Sequence, residues 1–168
     1  MKKLRIVIIF LICLGYKALQ AQFIERLDED RGFEAFRLGA DLSTGFYLDK
    51  YINHGLYLEP IVEKPLTFMH CEVWGMRLYH SNYQVQEIVL FIKPQYDKIL
   101  KNQLLSAYGK PVEFEEKKGL VKAMWKGKVV HLQVEFHYAG KDPEDSKYKD
   151  AIAVTISYAE SAKITASF

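Results

Sequence analysis

The stretch from Gln86 to Pro111, QEIVLFIKPQYDKILKNQLLSAYGKP, decides the fold. Its first seven residues alternate, with Ile88, Leu90 and Ile92 on one side of an extended chain and Glu87, Val89 and Phe91 on the other. Successive side chains of a strand point to opposite faces. The second side is itself partly apolar, which suits a strand in the middle of a sheet. At Pro94 the period changes from two to 3.6. Tyr96, Ile99, Leu100, Leu104, Ala107 and Tyr108 form one apolar stripe, and Asp97, Lys98, Lys101, Asn102 and Ser106 form a polar face. Gly109 supplies a left-handed stop and Pro111 blocks continuation, so a helix is expected over 95–108.

Downstream, strands are expected over Val112–Glu116, Leu120–Trp125 and Val129–Tyr138, with a tight turn at Lys126-Gly127-Lys128. In the third of these, Val130, Leu132, Val134, Phe136 and Tyr138 share one face, and His131, Gln133, Glu135 and His137 the other. A polar loop follows over Ala139–Asp150. A last strand, Ala151–Tyr158, has Ile152, Val154, Ile156 and Tyr158 inward, and a loose tail begins near residue 160.

Upstream, Leu56–Val62 reads as a strand, and Leu66–His80 as one long strand kinked near Gly75. Gly32–Gly39 alternates as a short half-buried strand. Asp41 or Ser43 can cap a helix reaching about Asn53, with Tyr47, Leu48, Tyr51 and Ile52 at helical spacing. Phe23–Arg31 reads as a charged leader. The fold class is α+β: an antiparallel sheet with two helices packed on one face. The order of elements suggests two helix–meander halves.

The first 21 residues have the order of a secretory signal. Lys2, Lys3 and Arg5 precede an apolar run from Ile6 to Gly15, and Ala18-Leu19-Gln20-Ala21 ends in a small residue suited to cleavage. The run is half the ~20 residues that span a bilayer, so no permanent membrane span is expected after cleavage. Cys13 lies inside the apolar run behind Leu11-Ile12, which does not fit a lipidation site. Residues 22–168 are then one exported domain, periplasmic or secreted.

Removing 1–21 takes four of the 23 Lys and Arg and none of the 21 Asp and Glu, leaving 19 against 21 and a formal charge of −2. The mild basicity of the whole chain belongs to the export segment, so nucleic acid is not an expected partner. One cysteine, Cys71, is left beyond the signal, which excludes an intramolecular disulfide. On a strand and with no base beside it, Cys71 reads as a buried apolar residue.

Three segments carry a resemblance. Gly32-Phe33-Glu34-Ala35-Phe36-Arg37-Leu38-Gly39 resembles the opening of small exported bacterial proteins of uncharacterised families. Leu105-Ser106-Ala107-Tyr108-Gly109-Lys110-Pro111 resembles the end of their second helix, and Trp125-Lys126-Gly127-Lys128 resembles their Trp-bearing hairpin. The plan implied is similar to the helix–meander repeats of beta-lactamase-inhibitor-like and outer-membrane-assembly lipoprotein domains. The resemblance implies a binding module with no catalytic residues to carry over. This chain departs from the lipoproteins in having no lipid-bearing cysteine.

No cofactor is expected. The serines Ser43, Ser81, Ser106, Ser146 and Ser157 stand outside any Gly-x-Ser-x-Gly, and Gly39–Gly45 lacks the lysine and spacing of a phosphate loop. The candidate metal ligands are His131, Glu135 and His137, all on one face of an expected strand, though six residues of strand separate the two histidines by roughly 20 Å. The aromatic residues Tyr47, Tyr51, Trp74, Tyr79 and Trp125 are candidates for gripping a partner, since rings are enriched at binding surfaces. Together these readings favour a monomeric, non-enzymatic exported protein that binds another macromolecule of the cell envelope or exterior. The alternatives are a small metal-dependent hydrolase on the His/Glu face and a binder of small apolar ligands between helix and sheet.

Overall fold

A computed structural model describes residues 23–29, 31–33, 36–42, 51–54, 57–61, 64–117, 120–138 and 143–159. Residues 1–21, the tail beyond 159, and residues 43–50 of the expected first helix lie outside them. In chain order the elements are helix α1 (residues 23–29), β1 (Gly32–Phe33), β2 (Phe36–Arg37), β3 (Tyr51–Asn53), β4 (Tyr57–Pro60), β5 (Leu66–Phe68), β6 (Cys71–Ser81), β7 (Gln84–Ile92), helix α2 (Asp97–Tyr108), β8 (Glu113–Lys117), β9 (Leu120–Lys126), β10 (Val130–Phe136) and β11 (Ile152–Tyr158). Two 3-10 segments, Pro94–Tyr96 and Pro143–Tyr148, complete the list.

Among the described residues, β1 and β2 form their own hairpin, and the other nine strands form one antiparallel sheet. Its order is β3-β4-β6-β7-β11-β10-β9-β8, with β5 also pairing with β6. β7 is central, as its two apolar faces require. It pairs with β6 on one side (Leu78 opposite Ile88) and with β11 on the other (Val154 opposite Leu90). The first face carries the main core: Ile88, Leu90, Ile92, Leu78, Val130 and Val134 pack there with Leu100 and Leu104 of α2. The second carries a smaller cluster of Val89, Phe91, Tyr138, Tyr148, Ala151 and Ala153. No helix among the described residues is long and apolar enough to cross a membrane.

Helix α2 forms where the change of period places it. It ends at Gly109, whose φ of 70° is the left-handed stop and whose N–H donates to the Leu105 carbonyl at 3.0 Å. Its buried residues are Leu100, Leu104, Ala107 and Tyr108, whereas Ile99 is 45% exposed. One residue back from Leu100 is 100° round the helix, which carries Ile99 off the buried arc.

Five local expectations are corrected. Phe23–Arg31 is not an extended leader: residues 23–29 are helical, and Leu27 is buried in the main core. Tyr51–Asn53, expected to end a helix, is a strand paired with β4. The long strand over 66–80 is broken into β5 and β6 by a two-residue loop, Met69-His70, with φ of 49° and 62°. This backbone suits a tight hairpin whose twist matches its strands, and Asn82-Tyr83 repeats it between β6 and β7. The polar loop 139–150 contains the 3-10 segment that buries Tyr148. Finally, the alternation of β10 stops at Phe136. His137 has φ 60°, which turns Tyr138 to the second face, where its ring lies 5.5 Å from that of Phe91.

Cys71 is fully buried, its Sγ donating weakly to the Met69 carbonyl, and burial pushes its thiol above the ordinary value of 9.0. The thiolate is the form that alkylates. Iodoacetamide at pH 8 is therefore expected to leave Cys71 unmodified in folded protein and to modify it fully in denaturant, as read by intact mass.

Candidate functional site

Apolar surface and charged groups converge most clearly in a cavity of about 400 Å³ on the first face of the sheet. That volume sits at the small end of the range for small-molecule sites, roughly 300–1,000 Å³. The floor is a cross-strand pair, Leu132 of β10 opposite Ile156 of β11. Both point to the first face because they share the register of Val130 and Val154. The walls come from three separate pieces of chain. Phe33 stands on the β1–β2 hairpin, Phe68 ends β5, and Tyr108 ends α2. The Phe33 and Phe68 rings meet edge to face, 6.0 Å apart. Helix α1 closes the remaining side with Leu27.

The rim differs in character. Arg26 and Arg37 line it, both exposed, with Thr67 between apolar neighbours. Among the described residues neither guanidinium makes an ion pair, and no carboxylate lines the cavity. Asp28, two residues from Arg26, is directed elsewhere. Its carboxylate accepts the backbone N–H groups of Lys128, Val129 and Val130 at 2.8–3.0 Å, anchoring α1 to the β9–β10 hairpin. A side chain at Gly127 would collide with Asp28 Oδ1, so glycine is needed there for the carboxylate to enter.

A second constellation lies on the opposite face. Arg77 is 2% exposed, with its guanidinium carbon 4.3 Å from the Tyr57 ring centroid and 5.2 and 5.5 Å from those of Phe91 and Tyr148. Tyr148 stacks on Phe91 at 3.9 Å and donates its hydroxyl to Glu59 Oε1 at 3.1 Å. Lys147 reaches both Glu59 oxygens, and His54 Nε2 lies 3.4 Å from Oε2. Burial pushes the Glu59 carboxyl up, but Lys147, Tyr148 and His54 outweigh it and hold the carboxyl below its ordinary value. Burial raises the Tyr148 phenol and the Glu59 charge adds to the rise, so Tyr148 stays a donor. A side chain at Gly75 would collide with the Tyr148 hydroxyl and ring. Glu59, Lys147, Tyr148 and His54 are engaged with one another, and the geometry is that of a clasp fastening residues 143–148 to β4.

The sequence candidates are dispersed. His131 is half-buried. Burial pushes its imidazole below the usual 6.5, with Lys126 acting in the same direction, and its Nδ1 has no hydrogen-bond partner among the described residues. Glu135 is buried and pairs with Lys122 at 3.1 Å. His137 is exposed beyond the end of β10, so the strand face that was to unite it with Glu135 and His131 does not extend to it. Among the described residues no three His, Cys, Asp or Glu side chains are grouped to hold a metal.

Of the aromatic candidates, Trp74 is 47% exposed, while Tyr79 is half-buried against the second cluster. Trp125 is 5% exposed and donates its indole N–H to the Gly109 carbonyl at 2.9 Å, which makes it a brace between α2 and β9. Tyr47 and the Tyr51 side chain lie outside the described residues. Sequence reading missed both Arg26 and Arg37 as site residues. The one signal for Arg37 was its place as the basic residue in Gly32–Gly39, which carries no information about a cavity, and Arg26 had none.

Fold and site define an α+β protein with a largely antiparallel sheet and a small cavity with a cationic rim. Comparisons of the chain with protein-family models, curated proteins and solved structures find no match.

Proposed function

We propose that this chain is an exported, non-enzymatic binding protein whose ligand enters the cavity beneath α1. The observation that carries the reading is the cavity itself, with an apolar floor, walls that are apolar apart from Tyr108, and charged groups at its rim. Such a division is the usual plan of a small-molecule site: apolar lining for affinity, a few polar groups for orientation. The reading is favoured over a large protein partner gripped by aromatic residues. Trp125 is consumed by the core and Tyr79 is half-covered, leaving Trp74 as the exposed ring among the described candidates. Export through residues 1–21 belongs to the same proposal.

A fluorescence titration with the neutral apolar dye N-phenyl-1-naphthylamine tests it. Saturable binding is expected in the parent protein. Thr67→Trp, at an exposed position on the rim, is expected to weaken it at least tenfold by plugging the mouth. No saturable binding, or binding indifferent to Thr67→Trp in a folded variant, would overturn the reading.

A further inference from the structure

We infer that the cavity selects an amphiphile with one anionic head and an apolar tail, the head held between Arg26 and Arg37. This rests on the reading of the cavity as a ligand site and adds the chemical class of the ligand. Three observations converge on it. Among the described lining residues Phe33, Phe68, Leu132 and Ile156 offer a ligand no hydrogen-bonding side chain, and Tyr108 is the one wall residue that carries a polar atom, so a tail lying on the floor meets apolar side chains. The two charged ones among the described rim residues have the same sign, and they come from different elements, α1 and β2. Neither is ion-paired with a carboxylate among the described residues; Glu25, next to Arg26 in sequence, makes no ion pair with it, and Asp28, two residues on, is held by three backbone N–H groups of the β9–β10 hairpin.

Two guanidiniums at one rim, with no carboxylate paired to them among the described residues, repel each other, and a shared anion converts that repulsion into charge-assisted hydrogen bonds. Arginine suits the task because its planar fork matches carboxylate and phosphate oxygens two at a time. The exposure of both residues keeps the head in contact with water, so the charge is not buried while the tail is. A small volume favours a single chain or a fused ring over a bulkier ligand. Carboxylate and phosphate-ester heads share this chemistry, and their sources are separable by experiment.

The test is isothermal titration of the full exported domain with four probes: decanoate, decyl phosphate, decanol and inorganic phosphate. Decanoate, decyl phosphate or both are expected to bind at least tenfold more tightly than decanol, a step of about 1.4 kcal/mol. Inorganic phosphate alone is expected not to bind measurably, which distinguishes an amphiphile site from a simple anion site. The double variant Arg26→Gln, Arg37→Gln is expected to lower the affinity for the anionic probes at least tenfold and that for decanol far less. An unchanged far-UV circular dichroism spectrum and thermal midpoint certify that the variant is folded, and the single variants are expected to fall between. Equal affinity for decanoate and decanol, or a preference that survives the double variant, overturns the anionic-head inference alone. Tight binding of inorganic phosphate overturns the amphiphile. Failure of all four probes together with failure of the naphthylamine dye overturns the ligand-site reading beneath it.

Discussion

Leu104→Ala is expected to lower the unfolding free energy by about 3 kcal/mol, the middle of the range for truncating a fully buried leucine. Leu104 is 0% exposed and faces the centre of the sheet, so removal of its side chain leaves a void bounded by Leu100 of its own helix and by strand residues on the first face. The rigid sheet cannot collapse to fill it, and both the lost burial and the cavity contribute. In a domain of this size the midpoint of thermal unfolding falls by about 6–12 °C. Ile99→Ala is the informative control. Both residues belong to the apolar stripe that defines α2 in sequence, yet Ile99 is 45% exposed, and its truncation is expected to cost less than about 1 kcal/mol. Chemical denaturation of the two variants separates them. Equal losses would mean that the helix sits on the sheet by a different arc.

Asp28→Ala is expected to cost about 2–3 kcal/mol, since hydrogen bonds to a charged acceptor contribute about 1.5–3 kcal/mol and their loss here strands three N–H groups together. The three donors belong to consecutive residues, Lys128 to Val130, at the point where the β9–β10 hairpin turns, and those of Val129 and Val130 are partly buried. The contribution depends on pH. Desolvation pushes the Asp28 carboxyl up, but the three backbone donors and the Lys128 charge together outweigh it, and the group titrates below its ordinary value of 3.8. A carboxyl with a lowered folded pKa binds its proton more readily when unfolded. Its stabilisation is therefore complete at neutral pH, begins to fade as pH falls to about the unfolded value, and is lost as pH drops through the folded one. The difference in stability between parent and Asp28→Ala is expected to be constant from pH 6 to 8 and to shrink below pH 4. A difference that persists unchanged in acid would remove the carboxylate from this role. Because α1 supplies Arg26 and Leu27 to the cavity, the same variant is expected to weaken dye binding as well.

The elements that sequence reading places correctly are those whose cause is local. The strand over Gln84–Ile92 and the helix after Pro94 announce themselves through period, and Gly109 through the backbone conformation that a helix stop demands. Burial of Cys71 likewise follows from residue type and strand context. The errors fall where a local signal was absent or misleading. Met69-His70 carries no turn residue, and its left-handed backbone is held by the pairing of Phe68 with Cys71 across it. His137 sits in an unbroken alternation of letters, yet its positive φ ends the strand before the face it was assigned to can include it.

The sequence by itself determined the antiparallel α+β plan, the position of α2, which residues of β7 and β11 share a face, and the absence of any motif that binds a nucleotide or activates a serine. Each of these depends on residues within a helical turn or a few strand positions of one another. The tertiary structure alone decided that β11 enters between β7 and β10, that Asp28 meets a hairpin 100 residues away, and that Arg26 and Arg37 share a cavity with Phe68 and Ile156. Those juxtapositions arise from packing the whole sheet against its helices, a condition that no short stretch of residues encodes.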